Sequence, residues 1–243
     1  MIKLNHDMFD IFLQLKALGY QFDSFEHCNV TYAKDKTVFL RHDIDFDIQI
    51  ALAFAKQEAE FGIKATYYFL LRSGAYNFIS DTNIQSVLKI AELGHAISLH
   101  YDPLCYDDPI SGLQSELSTF ELWTGYRPRV ISIHRPPKDY FAQQQSSLNF
   151  PHTYQHCYVQ DITYVSDSGG RFRYGHPMQS EAVRQGLNLH LLIHPIWSVQ
   201  TVDDAMARLD WLKQKKQQDL HQLMCDNCIP YREYSEHKEI KID

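Results

Sequence analysis

The sequence contains no stretch approaching the roughly 18 consecutive apolar residues that a membrane-spanning helix needs. Its opening residues, MIKLNHDMFDIFLQLKALGY, lack the cationic start, apolar run and small-residue cleavage site of a secretory leader. The expected location is therefore the cytoplasm. Positive charge is not in excess: 23 Lys and Arg stand against 30 Asp and Glu, for a net charge of −7. That balance argues against a nucleic-acid partner, which calls for a basic patch. No G-x-G-x-x-G and no G-x-x-x-x-G-K-[ST] occurs, which weakens nucleotide-binding readings. Cysteines are few and odd in number, five, so no disulfide framework is expected. Cys225-Asp-Asn-Cys228 has metal-ligand spacing, with His221 and His237 nearby. No second pair completes a tetrahedral set, so ordinary thiols are expected there. Repeats, low-complexity tracts and Pro- or Gly-rich linkers are also missing, which points to one domain over residues 1–243.

What is present is alternation of short apolar runs with amphipathic segments. Apolar residues make up 44% of the chain, enough for a globular core. Strands are expected at Thr37–Leu40, Ala65–Leu71, His95–His100, Val130–His134, Tyr158–Val165 and Leu187–His194. Helical spacing falls at Asp47–Phe61, Thr82–Leu93, Asp108–Trp123 and Thr201–Met224, with Gly62 and Gly94 as stops and Thr201 as a cap. This order predicts an α/β fold with a mostly parallel sheet, and a count of about seven strands favours a barrel over an open sheet. The segment 138–160 reads either as a lid or as an irregular connection.

Chemistry-bearing residues recur at one structural position. Arg41, His42, Asp43 and Asp45 follow TVFL; His100 and Asp102 follow AISL; His134 and Arg135 close VISIH; Asp167 follows Tyr164-Val165; His194 closes LNLHLLIH. In a parallel barrel the carboxyl ends of all strands open onto one mouth, so these groups would converge. Oxygen and nitrogen donors of this kind suit a divalent ion held by Asp45, His100 and a further His, leaving a position for water. Asp43 and His194 are placed for proton removal and proton delivery. Each residue also has a plainer reading. Asp43 or Asp45 could cap the helix that begins near Asp47, His100 and His134 could be satisfied buried histidines, and His194-Pro195 could simply end a strand. His95 is read as structural; His6, His27, His152 and His237 are read as surface or loop residues.

The order of these motifs resembles the polysaccharide deacetylases (carbohydrate esterase family four, the NodB-homology domain). They look most like the divergent branch with an Arg-His-Asp-Val-Asp first motif, here Arg41-His42-Asp43-Ile44-Asp45. Gly62–Phe69 resembles the family's next strand, Gly94–Asp102 its second motif, His134-Arg135-Pro136-Pro137 its third, and Leu191–Pro195 its fifth, over roughly residues 37–197. The resemblance implies a distorted (β/α) barrel and a metal-dependent hydrolase that deacetylates an N- or O-acetylated sugar or glycan precursor. It implies a divalent metal ion, zinc first, with cobalt or nickel as alternatives. By that likeness Asp43 is the general base, Asp45 and His100 are metal ligands, His194 is the general acid, and Arg135 orients the base. Two departures follow. Ile44 separates the paired Asp residues, which leaves their roles open to exchange, and Leu104 stands where the second motif's later His should ligate. His134 is the first candidate for the third ligand, with Asp102 and His42 as alternatives. Tyr101, Tyr106, Trp123 and Trp197 could stack on a sugar, although packing is the more ordinary role for such residues. Expected partners are a small-molecule or glycan substrate, with no nucleic acid and no membrane span; the sequence says nothing about oligomeric state. Competing readings are a metal-dependent amidohydrolase acting on a small non-sugar amide, and an inactive carbohydrate-binding barrel.

Overall fold

The computed structural model describes residues 2–27, 36–200 and 204–239. Its contacts divide into two compact units, Met1–Val199 and Gln200–Asp243.

In the first unit α1 (Asp7–Ala17) leads into β1 (Gln21–Asp23) and then β2 (Thr37–Ile44). There follow α2 (Ile48–Glu60), β3 (Thr66–Phe69), α3 (Asp81–Glu92), β4 (Ala96–Tyr101), α4 (Pro109–Thr124) and β5 (Ser132–Ile133). The unit continues through a short α5 (His156–Val159), β6 (Thr163–Ser166), α6 (Glu181–Gln185) and β7 (Leu189–Ile193). All registered pairs are parallel, in the order β5-β4-β3-β2-β7-β6, with β1 also on β2. Seven parallel strands curl into a distorted (β/α) barrel with helices outside, as the pattern predicts. Since β7 pairs with Val38–His42, the opposite edge of β2 is shared: β1 takes Thr37–Phe39 and β3 takes Arg41–Ile44.

β2 departs from expectation in length. It does not stop at Leu40 but carries Arg41, His42 and Asp43 within it, every residue buried. A central strand can hold such polar groups because each is paired to a neighbour. Helix α2 then starts one turn later than Asp43 and Asp45 would require for capping. Asp47 is its N-cap, accepting from Gln49 N at 2.8 Å and Ile50 N at 3.2 Å, so Asp43 and Asp45 are free for other work. Gly62, at φ 63°, ends α2 in the left-handed region that favours glycine.

Two sequence expectations fail between β5 and β7. Tyr158–Val165 is not one strand: His156–Val159 is a helical turn, closed by Gln160 N on His156 O at 2.8 Å, before β6 begins. Before that turn the chain makes two isolated parallel bridges, Ile131 to His152 and Gln143 to Gln155. The segment 138–160 is irregular, broken only by a 3-10 turn at Lys138–Tyr140 and the helical turn at His156–Val159. His152, read as a surface or loop residue, is fully buried in it. Helix α1 packs Phe9 on Phe54 of α2 at a ring distance of 4.7 Å and Phe12 on Phe22 at 5.4 Å. Burial of each such ring contributes roughly 1.5–3 kcal/mol.

The second unit is a helical pair, α7 (Ala205–Asn227) and α8 (Ile229–Glu239). Asp204 caps α7 through Met206 N at 3.1 Å; Thr201, the expected cap, and Cys28 lie outside the described residues. Cys225 and Cys228 are free thiols, and no third donor joins them in a metal cluster among the described residues. No helix of the described residues is long and apolar enough to cross a membrane.

Candidate active site

Strand alternation sends Arg41 and Asp43 into the barrel and His42 out toward α2, so two neighbouring motif residues serve different faces. The consequences can be followed residue by residue. Asp43 is buried, and its Oδ2 accepts from Arg41 Nη2 at 3.2 Å and from Ser132 Oγ at 3.0 Å. Its Oδ1 has no hydrogen-bond partner among the described residues. Arg41 is fully buried, and it also donates to Tyr154 Oη at 2.8 Å and to Thr153 Oγ1.

Asp45 lies just past the end of β2. Its Oδ1 faces His100 Nε2 at 3.3 Å and His134 Nε2 at 3.9 Å. One donor atom from each of Asp45, His100 and His134 falls within 4.8 Å of the others, a grouping that could hold a metal ion. The far ring nitrogens fix the tautomers. His100 Nδ1 donates to Ser132 O at 3.3 Å, and His134 Nδ1 donates to Asp102 Oδ2 at 3.1 Å. Each Nε2 is then left with its lone pair toward Asp45, the state a metal needs. Burial and the neighbouring His100 lower the His134 pKa, which also favours the neutral ring. Burial would raise Asp45, but the neighbouring rings of His100, His194 and His134 outweigh it and hold the carboxyl below its usual range. The orphaned Asp45 Oδ1 and two oriented imidazoles make a donor set that fits a divalent ion such as zinc.

The alternatives for the third ligand separate cleanly. Asp102 stands behind His134 and orients it. His42 uses both ring nitrogens elsewhere, on Ile193 O at 3.1 Å and Glu58 Oε1 at 2.9 Å. Leu104 is 67% exposed and takes no part.

On the other side of Asp45, His194 Nε2 is 3.9 Å from Oδ2. Its Nδ1 donates to Asp167 Oδ1 at 2.6 Å, and its backbone N–H is 3.0 Å from both Asp167 oxygens. Burial alone would lower His194. The Asp167 charge and hydrogen bond, helped by Asp45 and Asp43, overcome it and raise the imidazole to about 9. Burial pushes Asp167 up as well, but the contacts from His194 favour its ionised form. The pair is therefore an imidazolium held by a carboxylate.

Arg135 does not orient Asp43. Its guanidinium bonds Asp102, and the side chain is 65% exposed. Arg135 has φ 46°, so the backbone turns out of the barrel directly after His134. Arg41 makes the contact to Asp43 instead. The i, i+2 spacing of Arg41 and Asp43 on one strand face was the signal for it. Ser132 carried a similar signal, two residues before His134 in an alternating strand. Thr153 and Tyr154 carried none, since they arrive through an irregular segment. His152 in that segment is pushed down to about 4 by burial and then by the Arg41 charge. His95 is structural as expected, its Nε2 donating to Ala55 O at 3.0 Å. Among the aromatics, Tyr101 is buried and donates to Pro109 O at 2.6 Å, which removes it from any sugar-stacking wall.

No protein-family model matches the chain, and no curated protein matches it in sequence. Solved structures do resemble it. The peptidoglycan deacetylase PdaC of Bacillus subtilis is 12% identical with a TM-score of 0.44, over 86% of this chain and 95% of that one. The chitin deacetylase of Colletotrichum lindemuthianum is 16% identical with a TM-score of 0.42, over 73% and 81%. A family 4 carbohydrate esterase from Bacillus anthracis is 17% identical with a TM-score of 0.43, over 85% and 86%; that family is the one the motifs resemble.

Proposed function

We propose that this chain is a divalent-metal-dependent hydrolase that removes an acetyl group from an N- or O-acetylated sugar or glycan precursor. The observation that carries the reading is the meeting of Asp45, His100 and His134 donor atoms within 4.8 Å of one another, beside the buried Asp43 and the His194–Asp167 pair. The motif resemblance supplies the acetylated-sugar class.

Asp45, His100 and His134 would hold the ion, zinc best matching two imidazoles and a carboxylate. When bound, such an ion supplies Lewis acidity, lowering the pKa of water and polarising a carbonyl oxygen. Asp43 is the general base. Its Oδ2 is tied to Arg41 and Ser132, and the unpartnered Oδ1 is left to take the proton of the attacking water. His194 is the general acid. Its pKa near 9 keeps it protonated at neutral pH, and Asp167 on Nδ1 leaves Nε2–H to be delivered to the departing nitrogen or oxygen. Asp102 orients His134, and Arg41 holds Asp43 in place.

The same machinery would serve a small non-sugar amide, and a screen for released acetate over N- and O-acetylated sugars and simple acetamides separates the two. Elemental analysis of protein purified without chelator tests the ligand set. Parent protein retains metal, while Asp45→Ala and His100→Ala do not. Equal metal in all three would remove this assignment.

A further inference from the structure

Behind the site, on the outer face of β2, lies a buried polar cluster that the reaction above does not use. Glu58 of α2 is fully buried, with Oε1 2.9 Å from His42 Nε2 and Oε2 accepting from Tyr67 Oη at 2.6 Å. His95 Nδ1 stands 3.8 Å from Oε2. His42 Nδ1 lies 3.1 Å from Ile193 O. A carbonyl only accepts, so that nitrogen carries a proton, and the contact between Nε2 and Glu58 needs a second one. The pair therefore holds a shared proton and presents its positive end to the Ile193 carbonyl.

That carbonyl belongs to the peptide bond whose N–H is His194's own, and the N–H is 3.0 Å from both Asp167 oxygens. A donor on the carbonyl side of a peptide makes its N–H a stronger donor, because hydrogen bonds in series polarise one another. The series runs Glu58, His42, the Ile193–His194 peptide, Asp167 and the His194 ring. We propose that Glu58 and His42 are positioning residues for the acid His194, acting on Asp167 through the Ile193–His194 peptide bond. The inference rests on the acid role given to His194 above. A purely structural cluster would pin α2 to β2 and satisfy buried groups without touching the polarity of that peptide.

The sequence offers a direct readout. Ile precedes His only at Ile133–His134 and Ile193–His194. Full-length protein labelled with carbonyl-¹³C isoleucine and ¹⁵N histidine thus gives two assigned signals, one at the relay and one as internal control. In Glu58→Gln and His42→Gln the His194 amide proton moves upfield, while the Ile133–His134 signal stays. Tyr67→Phe, which removes a donor from Glu58 and so draws the shared proton away from His42, moves the His194 amide the same way. It serves equally if the other variants fail to fold. An unmoved Ile193–His194 signal in a folded variant overturns the inference.

A kinetic arm separates it from the reading it rests on. With a series of aryl acetates, Glu58→Gln loses roughly tenfold more rate on the least acidic phenol than on 4-nitrophenyl acetate, which needs little acid assistance. Equal losses across the series would overturn the coupling. His194→Gln shows the same selective loss; if it alone shows none, the acid role of His194 fails, whatever the amide signal reports about the peptide.

Discussion

Arg41 and Asp43 are two residues apart on one strand, both buried, with Nη2 and Oδ2 separated by 3.2 Å. The motif thus contains its own counter-ion for Asp43, and Arg135 holds Asp102 instead. Opposite charges can be kept in a barrel interior only while both are present, which makes the pair testable by removal.

Arg41→Met leaves Asp43 as an unpaired buried charge and is expected to destabilise the fold by roughly 3–5 kcal/mol in urea denaturation. Adding Asp43→Asn to Arg41→Met removes the orphaned charge and recovers part of that loss. Arg135→Ala, at an exposed side chain, should shift the midpoint little. A double variant no better than Arg41→Met alone would mean the pair is not what Arg41 contributes.

Asp102 reaches the candidate metal site only through His134, whose Nδ1 it accepts from at 3.1 Å. Asp102→Asn keeps all three donors but weakens the hold on the ring, and zinc affinity is expected to fall by roughly 10–100-fold in a chelator competition. His42→Gln, whose side chain faces away from the donors, should leave zinc affinity in place. Unchanged affinity in Asp102→Asn would assign His134 orientation to something other than Asp102.

Much of this arrangement was legible in the sequence, and the failures have physical causes. Period-two patterning and polar residues at strand ends were enough to bring Asp43, Asp45, His100, His134 and His194 to one mouth. The motif resemblance chose Arg135, which matches by position, whereas Arg41 matches by strand face and makes the contact to Asp43. Thr153, Tyr154 and the buried His152 were illegible because they reach Arg41 through a segment without regular period. Helix α1 carries Met8, Phe9, Ile11, Phe12 and Leu15 at helical spacing, so its pattern was present though no element was drawn from it. The end of β2 was misplaced because Arg41, His42 and Asp43 read as a loop until their buried partners are known.

The His194–Asp167 pair predicts a pH dependence. His194 is raised to about 9 because the Asp167 charge and hydrogen bond outweigh burial, and the acid works only while protonated. Activity is therefore lost as pH rises through that value. Asp167→Asn removes the support, the imidazole falls, and the alkaline limb of kcat moves to lower pH. A limb that stays in place would mean another group sets it.

Glu116 gives a prediction about stability instead of activity. It is buried on α4, and burial raises its carboxyl to about 7 even though Tyr106 Oη donates to Oε1 at 2.5 Å. A carboxyl higher in the folded state than in the unfolded chain binds more protons when folded, so its contribution is fully present below the ordinary carboxylate range. That contribution is lost as pH rises through about 7. Between roughly pH 5 and 7 the protein should thus lose stability from this group, while ordinary paired carboxylates have completed their gain below that window. Glu116→Gln keeps the size and a hydrogen-bond acceptor for Tyr106 but cannot ionise. Urea midpoints measured across that window should fall less steeply with pH in Glu116→Gln than in the parent. Parallel curves would place the ionisation of Glu116 at the same pH in both states and remove burial as its controlling influence.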